Sequence, residues 1–305
     1  MKSVIFVHRG NDYYLQIAIS QAHKYNPNLA IILLGDASNA KIKDATHYLI
    51  DNYYERAAAF DMHYVNHSPN SRSYELFCFQ RWLIIEEFLR KHPEYETSFL
   101  YCDSDTLLYA DVEQDLNNLG NNKVAVEAWE SPGFTFFAKD MLKEFCDMIE
   151  WAYTSKRGQD IINRHVAYLQ SSHATQGISD MTAFRYFCLK RNRGKCIDAM
   201  EPTHGWNKEY SKQLFCYDHN LNYHDNCLTD QFRGKVIKWQ DKLPYCYSLT
   251  MKQYVLMKGI HYQGHAKPLM VSHGCCHFYP WTKGWLKCYI QRPLKLLKKS
   301  VLKAK

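Results

Sequence analysis

Two apolar runs near the N-terminus constrain the fold most. VIFVH (4–8) and LAIILLGD (29–36) are buried-strand sequences. Between them, residues 13–25 read as a helix that stops at Asn26-Pro27, since proline lacks the amide a helix needs. Strand, helix and strand in this order imply parallel pairing, because the chain must cross over a sheet face to return. The alternation continues. HYLI (47–50) is a short strand, and residues 73–91 place Leu76, Phe77, Phe79, Leu83, Ile84 and Phe88 at helical spacing. Residues 99–102 form a further strand, as do 123–129, and 139–153 form an amphipathic helix. The expected class is α/β: a mostly parallel sheet flanked by helices, whose ligands bind beyond the carboxyl ends of the strands.

From about residue 155 the pattern loosens. A helix over 180–190 precedes a tyrosine-rich, loop-like stretch to about 250. No Pro/Gly linker interrupts the chain, so 1–282 is read as one domain. Residues 1–155 form its ligand-binding half and 156–282 an irregular second half. With 46% hydrophobic and 15% aromatic residues, the 305-residue chain can fill a core of that size. The 11 cysteines are odd in number and contain no CxxC, which reads as reduced thiols in a cytoplasmic protein. A structural zinc near His273, Cys275, Cys276 and His277 is the other reading of that corner.

The N-terminal apolar run is too short for a signal peptide, and no stretch nears the ~20 apolar residues of a membrane span. The net charge of +7 belongs to one segment. Residues 283–305 hold eight lysines and arginines and no acid, leaving the body near neutral. That argues against a nucleic-acid-binding body. In the tail, Leu294, Leu297 and Val301 share a helix face, with Trp285 and Tyr289 as aromatic anchors. Such a segment suits peripheral contact with an anionic membrane; a solvated terminus is the alternative.

The chemistry concentrates in SFLYCDSDTLLYAD (98–111). Asp103 and Asp105 lie two apart just after a buried strand, so in extended backbone they point the same way. Two like charges there are costly unless something sits between them. A hard cation, Mn²⁺ or Mg²⁺, removes the repulsion and commonly bridges to phosphate; a solvated acidic turn is the plainer alternative. A second element, GIHYQGHAKPLM (259–270), offers His261, Gly264 and Lys267. Imidazole completes the coordination of a borderline metal, glycine admits a phosphate to the backbone, and lysine supplies a point charge.

Asp103-Ser104-Asp105 after an apolar strand, followed late in the chain by His261-Tyr262-Gln263-Gly264-His265-Ala266-Lys267-Pro268, resembles glycosyltransferase family 8 or a related bacterial or viral family. The resemblance implies the GT-A nucleotide-diphospho-sugar transferase fold and transfer of glucose or galactose from a nucleotide sugar with retention. It assigns Asp103, Asp105 and His261 to Mn²⁺ and Lys267 to the diphosphate, with Gly264 letting the backbone approach a phosphate. It places His8, Gly10 and Asn11 around the nucleoside, and Asp36 on the base or ribose or in a plain turn. Asp180, in Ile178-Ser179-Asp180-Met181, falls where the family has an acidic motif facing the donor sugar; capping a helix is its other reading. Leu269 stands where the family usually has tryptophan.

Arg81, on a strongly apolar helix, needs a partner: the donor, or a structural carboxylate such as Glu75. Gly133, in Ser131-Pro132-Gly133-Phe134, is expected to shape the donor-sugar pocket, with Glu127 and Glu130 nearby. His204-Gly205-Trp206 and Tyr217-Asp218-His219-Asn220 read as acceptor-side loops or as satisfied surface. The expected partners are a nucleotide sugar and a glycan or lipid-linked saccharide, with no nucleic acid. A sugar-phosphate nucleotidyltransferase would share the fold, but HRGNDYY lacks its usual Gly-rich loop. A non-catalytic carbohydrate-binding protein would not need both polar elements.

Overall fold

A computed structural model describes residues 1–95, 98–120, 123–223, 225–230 and 234–274. The basic segment 283–305 and Cys275, Cys276 and His277 lie outside the described residues.

The first half runs β1 (Ser3–His8), α1 (Tyr13–Tyr25), β2 (Ala30–Gly35), β3 (Thr46–Leu49), α2 (Glu55–Asp61), α3 (Arg72–Lys91), β4 (Ser98–Cys102) and β5 (Thr106–Leu108). There follow α4 (Glu113–Asn118), β6 (Val124–Glu127), β7 (Ser131–Ala138), α5 (Lys139–Thr154), α6 (Lys156–Ser171) and α7 (Asp180–Tyr186). The remainder is β8 (Cys196–Asp198), β9 (Phe215–Asp218), β10 (Thr229–Asp230), β11 (Gly234–Lys235), β12 (Ile237–Gln240), β13 (Leu243–Ser248), β14 (Gln253–His261) and α8 (Met270–His273).

The central sheet has the order β3-β2-β1-β4-β7-β6-β8. Pairing is parallel except around β7, which runs antiparallel to both β4 and β6. This is the mainly parallel sheet with flanking helices that the early apolar runs imply, with the antiparallel β7 as an addition that they do not. Successive residues of β1 divide between its faces. Val4 and Phe6 pack on the side of α1, and Ile5 and Val7 on the side of α3 and α5. Helices cover both faces, so the strand shows no polar alternation. The helix stop at Asn26 is also a tie. Its backbone and side-chain amides both reach the Ala22 carbonyl, and its side-chain oxygen accepts from the Val112 amide at 2.8 Å.

A second, smaller sheet, β12-β13-β14-β5, is antiparallel, with β9 added in parallel to β14. The expectation of a loop-like stretch to about residue 250 is therefore corrected: it carries β8 to β13. These strands are short, and β13 alternates half-buried and buried positions. Its tyrosines fit a half-covered pleated surface. Helix α6 was likewise missed; it leaves most of its residues exposed or half-buried.

β14 is tied to the body by a buried ion pair. Lys258 Nζ donates to both oxygens of Asp115, at 2.8 and 2.9 Å, and sits 3.7 Å from the Phe215 ring centre. Tyr210 and Tyr217 also donate to that carboxylate. Burial pushes the Asp115 pKa up, against Lys258, which holds it down. Removing the cation leaves a buried charge uncompensated. Lys258→Ala is therefore expected to cost about 3–5 kcal/mol in urea unfolding; a loss below about 1 kcal/mol would show that the pair is effectively solvated.

Candidate functional site

The two acids of the DSD element sit on a tight turn between β4 and β5. The Asp103 amide donates to the Gly133 carbonyl on β7 at 2.9 Å, which continues the β4–β7 ladder by one residue. Thr106 then folds back, its amide and hydroxyl both donating to the Asp103 carbonyl. Backbone pairing thus fixes where the two aspartates leave the main chain.

The second sheet brings the distant element to the same place. β5 begins just after Asp105 and β14 ends at His261, and the two strands pair antiparallel with His261 opposite Thr106. The Tyr262 amide closes the corner on the Asp105 carbonyl at 2.8 Å. His261 Nε2 consequently lies 3.1 Å from Asp105 Oδ1 and 3.9 Å from Asp103 Oδ2. One ligand atom from each of Asp103, Asp105 and His261 falls within 4.8 Å of the others. Lys267 Nζ stands 3.1 Å from Asp105 Oδ2 and 4.6 Å from the Tyr14 ring centre. Two carboxylates and an imidazole at this separation are a fitting donor set for a divalent cation.

Electrostatics follow from burial and pairing. Burial works against the Asp105 charge, but His261 and Lys267 outweigh it and hold the carboxyl well below its usual range. Burial likewise opposes the imidazolium, yet Asp105, with help from Asp103 and Glu127, raises His261 to about 9.

Arg81 finds its partner in carboxylates, though not in Glu75, which instead accepts from Ser68 and Asn70. The guanidinium donates to Asp103 Oδ1 at 2.6 Å, the Tyr101 hydroxyl at 2.8 Å and Asp180 Oδ2 at 2.5 Å. Tyr101 also donates to Asp103 Oδ1. Asp180 is buried at the first position of α7, while the preceding Ser179 and Thr182 form the capping box. Trp82 Nε1 adds a second bond to Asp180 Oδ2. Arg81 therefore couples Asp180 to the metal-ligating candidate Asp103.

The loops after β1 and β2 are stitched to one another. Ser104 Oγ lies 2.9 Å from His8 Nδ1, and Asp36 accepts from the Gly10 amide at 2.7 Å and from Ser38. Asn39, unforeseen in the sequence, donates to the carbonyls of His8 and Gly10. Burial lowers the His8 pKa. Asn11 is exposed on the same loop. Gly264 has φ +59 and open space where a side chain would project. Thus His8 and Lys267 gather at the strand ends around the DSD turn, His8 against its Ser104 and Lys267 against its Asp105. Gly10 and Asp36 belong to the loop pair next to it.

Gly133 lies within β7 and backs the imidazole. A Cβ built on it would sit 2.5 Å from His261 Nδ1 and 3.0 Å from Glu127 Oε2. Glu127 was noticed only as a nearby acid; it is fully buried at the end of β6, and burial pushes its pKa up. Of the two polar-aromatic clusters, Asp218 and His219 engage Lys235 and Asp225, and Trp206 packs on Phe136.

No protein-family model and no curated protein matches this chain. Solved structures similar to it include the galactosyltransferase LgtC in complex with donor and acceptor sugar analogues. That likeness has 14% identity and a TM-score of 0.36, over 65% of this chain and 73% of that one. Mouse xyloside xylosyltransferase 1 in its apo form has 8% identity and a TM-score of 0.43, over 63% of this chain and 83% of that one. The bifunctional glycosyltransferase WbbM has 14% identity and a TM-score of 0.45, over 93% of this chain and 51% of that one.

The His261–Asp105 pairing sets a pH signature in chelator. A folded His261 pKa of about 9 lies above the ordinary 6.5, so its stabilising contribution is complete below pH 6.5 and lost as pH rises through 9. The melting temperature is expected to fall across that interval, and His261→Ala to remove the fall. An identical slope in wild type and variant would contradict the pairing.

Proposed function

We propose that this chain is a metal-dependent glycosyltransferase. It moves a hexose from a nucleotide sugar, UDP-glucose or UDP-galactose, to a glycan or lipid-linked saccharide with retention of configuration. One observation carries the reading: two acids and a histidine 156 residues beyond the nearer of them converge with ligand atoms within 4.8 Å, and Lys267 joins them.

In this reading Asp103, Asp105 and His261 hold Mn²⁺ or Mg²⁺. The cation supplies Lewis-acid neutralisation of the departing diphosphate. Lys267 adds a fixed positive charge on the same side, where negative charge develops. Gly264, with its open left-handed backbone, admits a phosphate oxygen close to the chain. Arg81 and Tyr101 lock the Asp103 carboxylate, so that holding the cation requires little reorganisation.

Asp180 is the acid assigned to the donor sugar, and Gly133 supports that wall from behind His261. The stitched loop of His8, Gly10, Asn11, Ser104 and Asp36 forms the nucleotide side. The exposed acceptor approaches over the second sheet and its loops. Cytoplasmic residence and peripheral membrane contact through 283–305 complete the proposal from sequence; among the described residues no helix is long and apolar enough to cross a membrane.

Thermal-shift titration separates this reading from its rivals. UDP and Mn²⁺ together are expected to raise the melting temperature more than either alone. Stabilisation by a nucleoside triphosphate instead would favour a nucleotidyltransferase, and by glycan alone a binding protein. Asp105→Ala should abolish the joint shift and reduce donor-sugar hydrolysis about a hundredfold or more. Undiminished turnover in that variant would refute the proposal.

A further inference from the structure

We infer that Glu127 is a positioning residue for His261, placed to accept a hydrogen bond from Nδ1–H once Nε2 is turned to a cation between the two aspartates. The inference rests on the cation-binding reading above and adds a residue to it.

Three observations carry it. Glu127 is fully buried, and no side chain donates a hydrogen bond to either of its carboxylate oxygens; the donor facing it is the Phe134 backbone amide. His261 Nδ1, on the imidazole edge away from the aspartates, is buried and without a partner. The two groups flank the same point over Gly133, where a Cβ would stand 2.5 Å from Nδ1 and 3.0 Å from Glu127 Oε2, and no hydrogen bond or ion pair yet joins them. Position 133 must therefore be side-chain-free for the imidazole and the carboxylate to keep their places on either side of it.

The chemistry gives this arrangement a purpose. An imidazole that offers Nε2 to a cation carries its proton on Nδ1, and that buried N–H needs an acceptor. A buried acceptor without a donor is costly, and so is a buried donor without an acceptor. Bringing Glu127 and His261 Nδ1 together satisfies both. A carboxylate on the far nitrogen also fixes the ring plane and makes the ligating nitrogen more basic. Asp218 Oδ2 is another buried carboxylate oxygen without a partner, but the other oxygen of that carboxylate is held by Lys235.

The test is calorimetric titration of the full chain with MnCl₂ alone, without donor sugar. Wild type, Glu127→Leu, Glu127→Gln and Asp105→Ala are compared, each checked for folding by circular dichroism. Leucine removes the acceptor while keeping the site filled, and affinity is expected to fall about 10–100-fold. Glutamine keeps an acceptor oxygen and should recover part of that loss. A merely structural role would not produce this graded recovery. Wild-type affinity in a folded Glu127→Leu chain would overturn the inference and leave the cation site standing. Should the leucine variant fail to fold, Glu127→Gln decides: about threefold or more weakening supports the inference, and unchanged affinity overturns it. If wild type binds no better than Asp105→Ala, the cation-binding reading itself fails, and the inference with it.

Discussion

The architecture of the site depends on the antiparallel pairing of the end of β14 with β5. β5 starts one residue after the DSD turn, and β14 stops at the histidine. Matching Gly259, Ile260 and His261 with Leu108, Leu107 and Thr106 therefore delivers an imidazole to two carboxylates with no long side chain spanning a gap. A slip of one residue would turn His261 to the opposite face of the sheet. The register is held by backbone bonds, by the Tyr262 amide on the Asp105 carbonyl and by the buried Lys258–Asp115 pair.

Charge explains why the cluster tolerates burial. Asp103 is neutralised by Arg81, and Asp105 by His261 and Lys267. Arg81 also binds Asp180, which ties α3, the DSD turn and the start of α7 into one unit. A cation between the aspartates would take over part of the compensation now made by His261 and Lys267 and free the lysine for a phosphate. Because Asp103 and Asp105 rest on different cations, the turn is organised without a bound ion, which would reduce the cost of binding one.

Much of the first half was legible in the sequence because its signals are local. Uninterrupted apolar runs mark β1, β2 and β4, and the Asn26-Pro27 stop marks the end of α1. The DSD pair was visible for the same reason: its spacing and its position after a strand are short-range facts. His261 and Lys267 were visible as a candidate ligand and a candidate phosphate contact, but only the motif resemblance joined them to the DSD pair, since nothing local reports a contact across 156 residues. Arg81 announced that it needed a counter-ion, but its partners are set by tertiary packing, 22 and 99 residues away. The outer strands of the second sheet were missed because β12 and β13 are short and leave many of their residues half-exposed or exposed. Glu127 left one faint trace, an acid closing the apolar run Val124 to Val126, and its role depends on a glycine six positions later.

The central claim is that Asp103, Asp105 and His261 form one cation site. Anomalous diffraction from crystals grown with MnCl₂ and UDP tests it most directly. The account predicts a manganese peak coordinated by one oxygen from each aspartate and by His261 Nε2. A manganese ion bound without His261, or no peak at this turn while UDP is clearly bound, would contradict it.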